Sequence, residues 1–233
     1  MKQSRRSFLV SCAAAGAAIA TGAAAEEKTV DGGYAPVSEP GRPERAHAVL
    51  PPGSGDASTF SRRCVGCQLC VKACPNKVLR PSRGRGFPRP EMGFEKGWCR
   101  PECVKCSEVC PAGAIRKIGM RDKKNIRSGR AVFRSRACIA ATDGTHCTVC
   151  ARHCPYGAIT LVELDPGKPG GPKIPVVDEA KCTGCGACEH LCPARPMPGL
   201  AVEGYVRHKE THPVEAAVSA PAPSPVWQGL RLA

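Results

Sequence analysis

"CVGCQLCVKACP", residues 64–75, carries cysteines at 64, 67, 70 and 74, with Pro75 directly after the last. Four thiols in so short a stretch can form a disulfide framework, a metal site or a redox centre. Recurrence separates these readings. Apart from Cys12, the other 16 of the 17 cysteines fall into four groups of four. They are Cys64, Cys67, Cys70 and Cys74 before Pro75; Cys99, Cys103, Cys106 and Cys110 before Pro111; Cys138, Cys147, Cys150 and Cys154 before Pro155; and Cys182, Cys185, Cys188 and Cys192 before Pro193.

Groups one and four have the spacing C-x2-C-x2-C-x3-C-P, the bacterial ferredoxin run that holds [4Fe–4S] clusters. Groups two and three keep its second half and stretch the first gap. Three cysteines two residues apart wrap a compact loop around one cube. The fourth points away and, in two-cluster ferredoxins, ligates the other cluster. The proline after it fixes φ and ends the local turn. Gly66, Gly184 and Gly186 let backbone amides come close to sulfur. All sixteen cysteines are therefore expected as iron ligands of four [4Fe–4S] clusters.

Other chemistries fit less well. Structural zinc pairs two short knuckles across a longer stretch. Eight disulfides in such loops would be strained. Haem attachment needs C-x-x-C-H, which does not occur. Cys99-x3-Cys103-x2-Cys106 has the letters of a radical S-adenosylmethionine motif, but Cys110-Pro111 follows at ferredoxin spacing. His146, His153 and His190 lie inside groups that already have four thiols, so packing or hydrogen bonding is expected of them. His47, His208 and His212 are expected in linker or tail.

Composition agrees with a metal-organised chain. Of 233 residues only 4% are aromatic, with 25 Gly and 23 Pro. Bound metal must then supply stability that apolar burial does not. The net charge is +14, of which Lys2, Arg5 and Arg6 supply three. The basic residues are spread along the chain without interleaved aromatics, which argues against nucleic-acid binding. Four clusters of roughly −2 each would offset much of the remaining +11. Arg83, Arg85, Arg89 and Lys96 form a candidate docking patch. No catalytic constellation stands beside the cysteines, so an electron carrier is expected, not a stand-alone catalyst with a small-molecule substrate.

Residues 1–25 resemble an export signal: "SRRSFLV" (4–10), a short alanine-rich run, and Ala23 and Ala25 before Glu26. The paired Arg5-Arg6 points to the twin-arginine route, which exports folded, cofactor-loaded proteins. Cys12 precedes most of the apolar run and is taken as part of the signal. Residues 26–58 are expected to be an extended leader, 59–210 the cluster domain, and 211–233 a disordered tail carrying Trp227.

The fold class expected is α+β, with two ferredoxin-like units of two clusters each and much irregular loop. Strands are expected at "NKVL" (76–79), "AGAIRKI" (112–118), "RAVFRSR" (130–136), "YGAITLVEL" (156–164) and "KIPVVDE" (173–179). "LRPSRGRGFPRPEMGFEKGW" (79–98) is read as a basic, Gly/Pro-rich insertion. Two pairings of the groups are open: sequential, one with two and three with four, or nested, two with three and one with four. The uninterrupted hairpin-like pattern over 114–137 favours nesting.

From about residue 50 to 210 the chain resembles the periplasmic ferredoxin-type proteins of the NapG/MauM family. The resemblance rests on the twin-arginine start, on "PPG" (51–53), on the four groups in this order and on the irregular third group, "CIAATDGTHCTVCARHCP" (138–155). It implies four clusters passing electrons between a membrane-bound quinol-oxidising iron–sulfur protein and a periplasmic cytochrome or reductase, with the protein periplasmic and held near the inner membrane by its partner. An electron-transfer subunit of a larger molybdenum-type oxidoreductase, or an assembly factor, is the alternative. "PEMGFEKGWCRPECVKCSEVCPAGAI" (90–115) departs from the nitrate-reductase member, whose second group is C-x2-C-x4-C-x3-C. That difference leaves cluster binding intact and makes the terminal acceptor the open point.

Overall fold

The computed structural model describes residues 41–82 and 87–211. The expected export signal with Cys12, the insertion's Arg83 and Arg85, and the expected tail from residue 212 with His212 and Trp227 lie outside the described residues.

The elements are short because Gly, Pro and Cys loops interrupt them. In order they are α1 (Ala57–Arg63), α2 (Leu69–Ala73), β1 (Leu79–Pro81), β2 (Pro90–Met92), α3 (Lys105–Glu108), α4 (Met120–Lys123), β3 (Ile126–Phe133), α5 (Ile139–Thr142), α6 (Val149–Arg152), β4 (Ile159–Glu163), β5 (Lys173–Val177), α7 (Ala187–His190) and β6 (Leu200–Glu210). Asp56 starts α1 by accepting from the amides of Ser58 and Thr59 at 2.9 and 3.2 Å. The Ser58 hydroxyl and those amides hold its carboxyl down at about 2. Phe60 is the residue α1 buries.

Three two-stranded antiparallel sheets organise the chain: β1 with β2, β3 with β6, and β4 with β5. The pairing of β3 with β6 brackets groups three and four from outside, and the β4–β5 hairpin joins them in the middle. Groups three and four therefore form one unit, and groups one and two, joined by the β1–β2 hairpin, form the other. This corrects the nested pairing expected above. The segment 114–137 makes no hairpin of its own, because the strand partner of β3 lies some 70 residues later in β6.

The remaining strand expectations divide. Segments 76–79, 130–136, 156–164 and 173–179 each contribute to a strand. Residues 112–118 do not. They run as irregular chain whose Ala114, Ile115 and Ile118 are buried, and the Arg116 amide donates to Gly53 O at 3.0 Å. The insertion between groups one and two supplies β1 and β2.

The boundary expected at residue 58 is also corrected. Residues 41–56 have no regular structure, yet they are a strap packed into the protein. Pro43, Val49 and Pro51 are fully buried. Val49 O accepts from Met92 N at 2.7 Å, His47 O from Gly204 N at 3.2 Å and Gly55 O from His208 N at 2.9 Å. The strap thus binds both units through backbone hydrogen bonds, which a proline- and glycine-rich sequence forms without side-chain periodicity.

The larger core gathers Val49, Phe60, Val78, Met92, Phe94, Ile115 and Val202, with Cys64, Cys74, Cys99, Cys106 and Cys110 packed against it. The second centres on Ala131, Ala158, Ile159 and Leu200, with Cys150 and Cys154 alongside. Few large side chains are buried, as the composition requires. The register of β3 and β6 slips where Ser128 stands opposite residues 205–208. This bulge frees the Ser128 amide, which donates to Thr183 O at 3.1 Å and so seats the fourth cysteine loop on β3.

Candidate metal centre

The sixteen thiols are free and assemble into four quartets, each built from two groups. Cys64, Cys67 and Cys70 line a small pocket that Cys110 completes; this is site I. Cys99, Cys103 and Cys106 stand with Cys74 as site II. Cys138, Cys147 and Cys150 line a second small pocket together with Cys192, as site III, with Cys188 at its edge. Cys182, Cys185 and Cys188 stand with Cys154 as site IV. The fourth cysteine of each group crosses to the neighbouring quartet of its own unit.

Local geometry explains the crossing. The loops turn through left-handed backbone at Gly66, Gln68, Gly184 and Gly186 (φ 66°, 59°, 72° and 81°), which curls three cysteines around one space. Each group's last cysteine follows a helix of only four or five residues and leaves it in another direction. Backbone amides then aim at sulfur. Ile115 N donates to Cys110 Sγ at 3.4 Å, Ala158 N to Cys154 Sγ at 3.3 Å, Gly199 N to Cys192 Sγ at 3.3 Å and Ala131 N to Cys182 Sγ at 3.4 Å.

Burial pushes the Cys70 and Cys150 thiols up to about 11, and those of Cys106 and Cys185 to about 12. Cys99, Cys182 and Cys188 are raised by the same cause, and the neighbouring thiols add to it in each quartet. Thiolates so placed need a bound cation to exist. Among the described residues, no three Cys, His, Asp or Glu converge on a single metal ion. Quartets of mostly half-buried to buried thiols, with amides aimed at sulfur in sites I, III and IV, fit an iron–sulfur cube.

Sites II and IV meet where the two units join. The Cys99 amide donates to Cys185 O at 2.9 Å, and the charge of Cys99 is felt at Cys185. Tyr156 stands between them, its phenol raised by burial and by Cys185. Phe94, from just beyond β2, presses its ring against Gly186, where a Cβ would overlap it. His190 Nδ1 meets Phe94 O at 2.8 Å. Lys123, 4% exposed, donates to Arg100 O at 2.5 Å and to Cys103 O, and its ammonium counters the burial of Cys99.

The structure thus brings together all sixteen predicted cysteines, in fours that no single sequence group supplies. Of the histidines, His190 and His153 hydrogen-bond to backbone carbonyls. His208 is not in a tail: it lies in β6, 6% exposed. Of the expected docking patch, Arg89 is half-buried and Lys96 exposed. Lys123, Phe94 and Arg45 escaped sequence reasoning because they lie outside the cysteine groups, and Glu189, the partner of Arg45, because the motif leaves the spacer between Cys188 and Cys192 unspecified.

Two family profiles, each described as a 4Fe-4S dicluster domain, match residues 63–115 and 144–195. The first span holds groups one and two; the second holds most of three and all of four, in agreement with sequential units. The fold and the quartets define a ferredoxin-type iron–sulfur protein that binds [4Fe–4S] clusters. The chain is 36% identical to the methylamine utilization ferredoxin-type protein MauM of Methylophilus methylotrophus, over 70% of this chain and 78% of that one. It is 37% identical to MauM of Methylorubrum extorquens over 63% and 69%, and 36% identical to the ferredoxin-type protein NapG of Escherichia coli over 62% and 65%. The chain belongs to the NapG/MauM family of ferredoxin-type proteins.

Proposed function

We propose that this protein is an electron relay of four [4Fe–4S] clusters, one in each quartet, with all sixteen cysteines as iron ligands. It is exported folded through its twin-arginine signal and works in the periplasm. Its partners are a membrane-bound quinol-oxidising iron–sulfur protein on one side and a periplasmic cytochrome or reductase on the other. Each cluster supplies one-electron chemistry without making or breaking a bond.

The observation that carries this reading is the contact between sites II and IV. Within each unit, exchange of the fourth cysteines joins two sites. Between units, the Cys99–Cys185 hydrogen bond joins site II to site IV. The spatial order is I, II, IV, III, an unbroken series that differs from the order in sequence. The amides aimed at Cys110, at Cys192 and at Cys154 and Cys182 stabilise charge on sulfur and tune sites I, III and IV.

The test is anaerobic purification followed by iron and sulfide analysis and an EPR redox titration. About sixteen irons and sixteen sulfides per chain, all reversibly reducible, are expected for four cubes. Zinc without sulfide would overturn the reading. Replacing Arg5-Arg6 by Lys-Lys should hold the protein in the cytoplasm, as read by fractionation.

A further inference from the structure

Cys67 is the one exposed thiol of the sixteen, so site I comes closest to solvent. An apolar island surrounds it: Val65, Leu69 and Phe87 are 57, 47 and 64% exposed. The Phe87 ring lies over Gly66, where a Cβ would meet it at 2.6 Å. The segment that carries the island has charge of one sign, and the exposed Glu108 of α3, which packs on α2, is paired with Lys105. From residue 57 to residue 90 the chain contains no Asp or Glu. Arg62 and Arg63 in the last turn of α1 and Lys72 on α2 are exposed, and none has an ion-pair partner among the described residues. The other end of the series differs. The β4–β5 hairpin, whose Pro175 lines site III, mixes exposed Lys168 and Lys173 with Asp165.

The geometry points to the site I face as the docking surface for an acidic one-electron redox protein. The inference rests on the electron-relay reading above and adds where one partner binds and what charge it carries. The apolar island excludes water from the contact, and the basic rim steers an anionic surface onto it. One electron crosses between the partner's centre and site I. The donor is oxidised as the acceptor is reduced, and no bond changes. Site I is the terminal site of the spatial series, so a partner docked there reaches the other three sites through it.

The holo-protein can be tested with reduced flavodoxin, an acidic one-electron carrier, by stopped-flow absorbance at low salt. R62E/R63E should slow cluster reduction by roughly tenfold and flatten its salt dependence. K168E/K173E, which makes the same change of charge on the β4–β5 hairpin, should change the rate by less than about twofold. Both variants should keep the wild-type EPR spectrum and iron content, and both should be reduced normally by photoreduced deazaflavin, a small uncharged reductant. Equal slowing in the two variants, slowing in K168E/K173E alone, or slowing in neither would overturn the site I surface. If deazaflavin reduces no cluster even in the wild type, the electron-relay reading falls, and this surface with it.

Discussion

The backbone amide of Cys99 donates to the carbonyl of Cys185 at 2.9 Å, joining a cysteine of the second group to one of the fourth. Gly184 makes this approach possible. Its φ is +72°, and a Cβ there would stand 2.7 to 2.8 Å from the backbone of Gly129. Gly184→Ala should push the loop off β3 and cost about 1–3 kcal/mol. A lower urea midpoint, with weaker spin–spin broadening in the EPR spectrum of the reduced protein, would register it. An unchanged spectrum would show that the junction does not depend on this contact.

Crossed quartets make a prediction that separates the two units' sites. Cys110→Ser should disturb the same EPR signal as Cys67→Ser, since both residues belong to site I. Cys74→Ser should instead match Cys103→Ser. If Cys110→Ser matched Cys103→Ser, the crossing would be wrong.

Lys123 places a buried cation beside site II. Removing a unit charge near a redox centre shifts it on the order of 2 kcal/mol at an effective dielectric constant near 20, which is roughly 90 mV for one electron. Lys123→Met should lower the potential of one cluster by about that much and leave the other three within experimental error in an EPR titration. Lys123→Arg should recover most of the shift.

Arg45 and Glu189 form an ion pair with side chains only 6% and 4% exposed. Arg45 also donates to Val202 O at 2.7 Å, and Glu189 accepts from Val202 N at 2.7 Å. The pair fastens the strap to α7 and β6. Arg45→Ala strands a buried carboxylate and should cost about 3–5 kcal/mol. Arg45→Met with Glu189→Gln should cost less than Arg45→Ala alone. Chemical denaturation under anaerobic conditions compares them.

Burial, and secondarily the charge of Arg116, lower the His208 imidazole from an ordinary 6.5 to about 4. Between these values the unfolded chain binds the proton and the folded chain does not, so stability rises with pH. The contribution is complete above about 6.5 and is lost as the pH falls toward 4. Its limit is about 3 kcal/mol. His208→Gln should flatten the denaturation midpoint against pH over this window. A wild-type midpoint already flat there would count against a buried neutral imidazole.

The sequence by itself determined how the cysteines group, because cysteine spacing is a local property: how tightly a loop can curl is set by the residues between its thiols. Most strands were also legible as β-branched runs. Pairing was different. The pattern over 114–137 looked like a hairpin, but β3 found its partner in β6, and only that long-range ladder decided that group three joins group four. The strap was equally hidden. Residues 41–56 carry no periodicity, and their burial depends on carbonyls meeting amides of distant strands. Lys123, Phe94 and the Cys99–Cys185 contact belong to the same class. Phe94 against Gly186 and the Cys99–Cys185 bond exist where the two units pack on one another, and Lys123 reaches back to carbonyls 20 and 23 residues earlier. The packing also set the spatial order of the sites, I, II, IV, III, which nothing in the linear chain encodes.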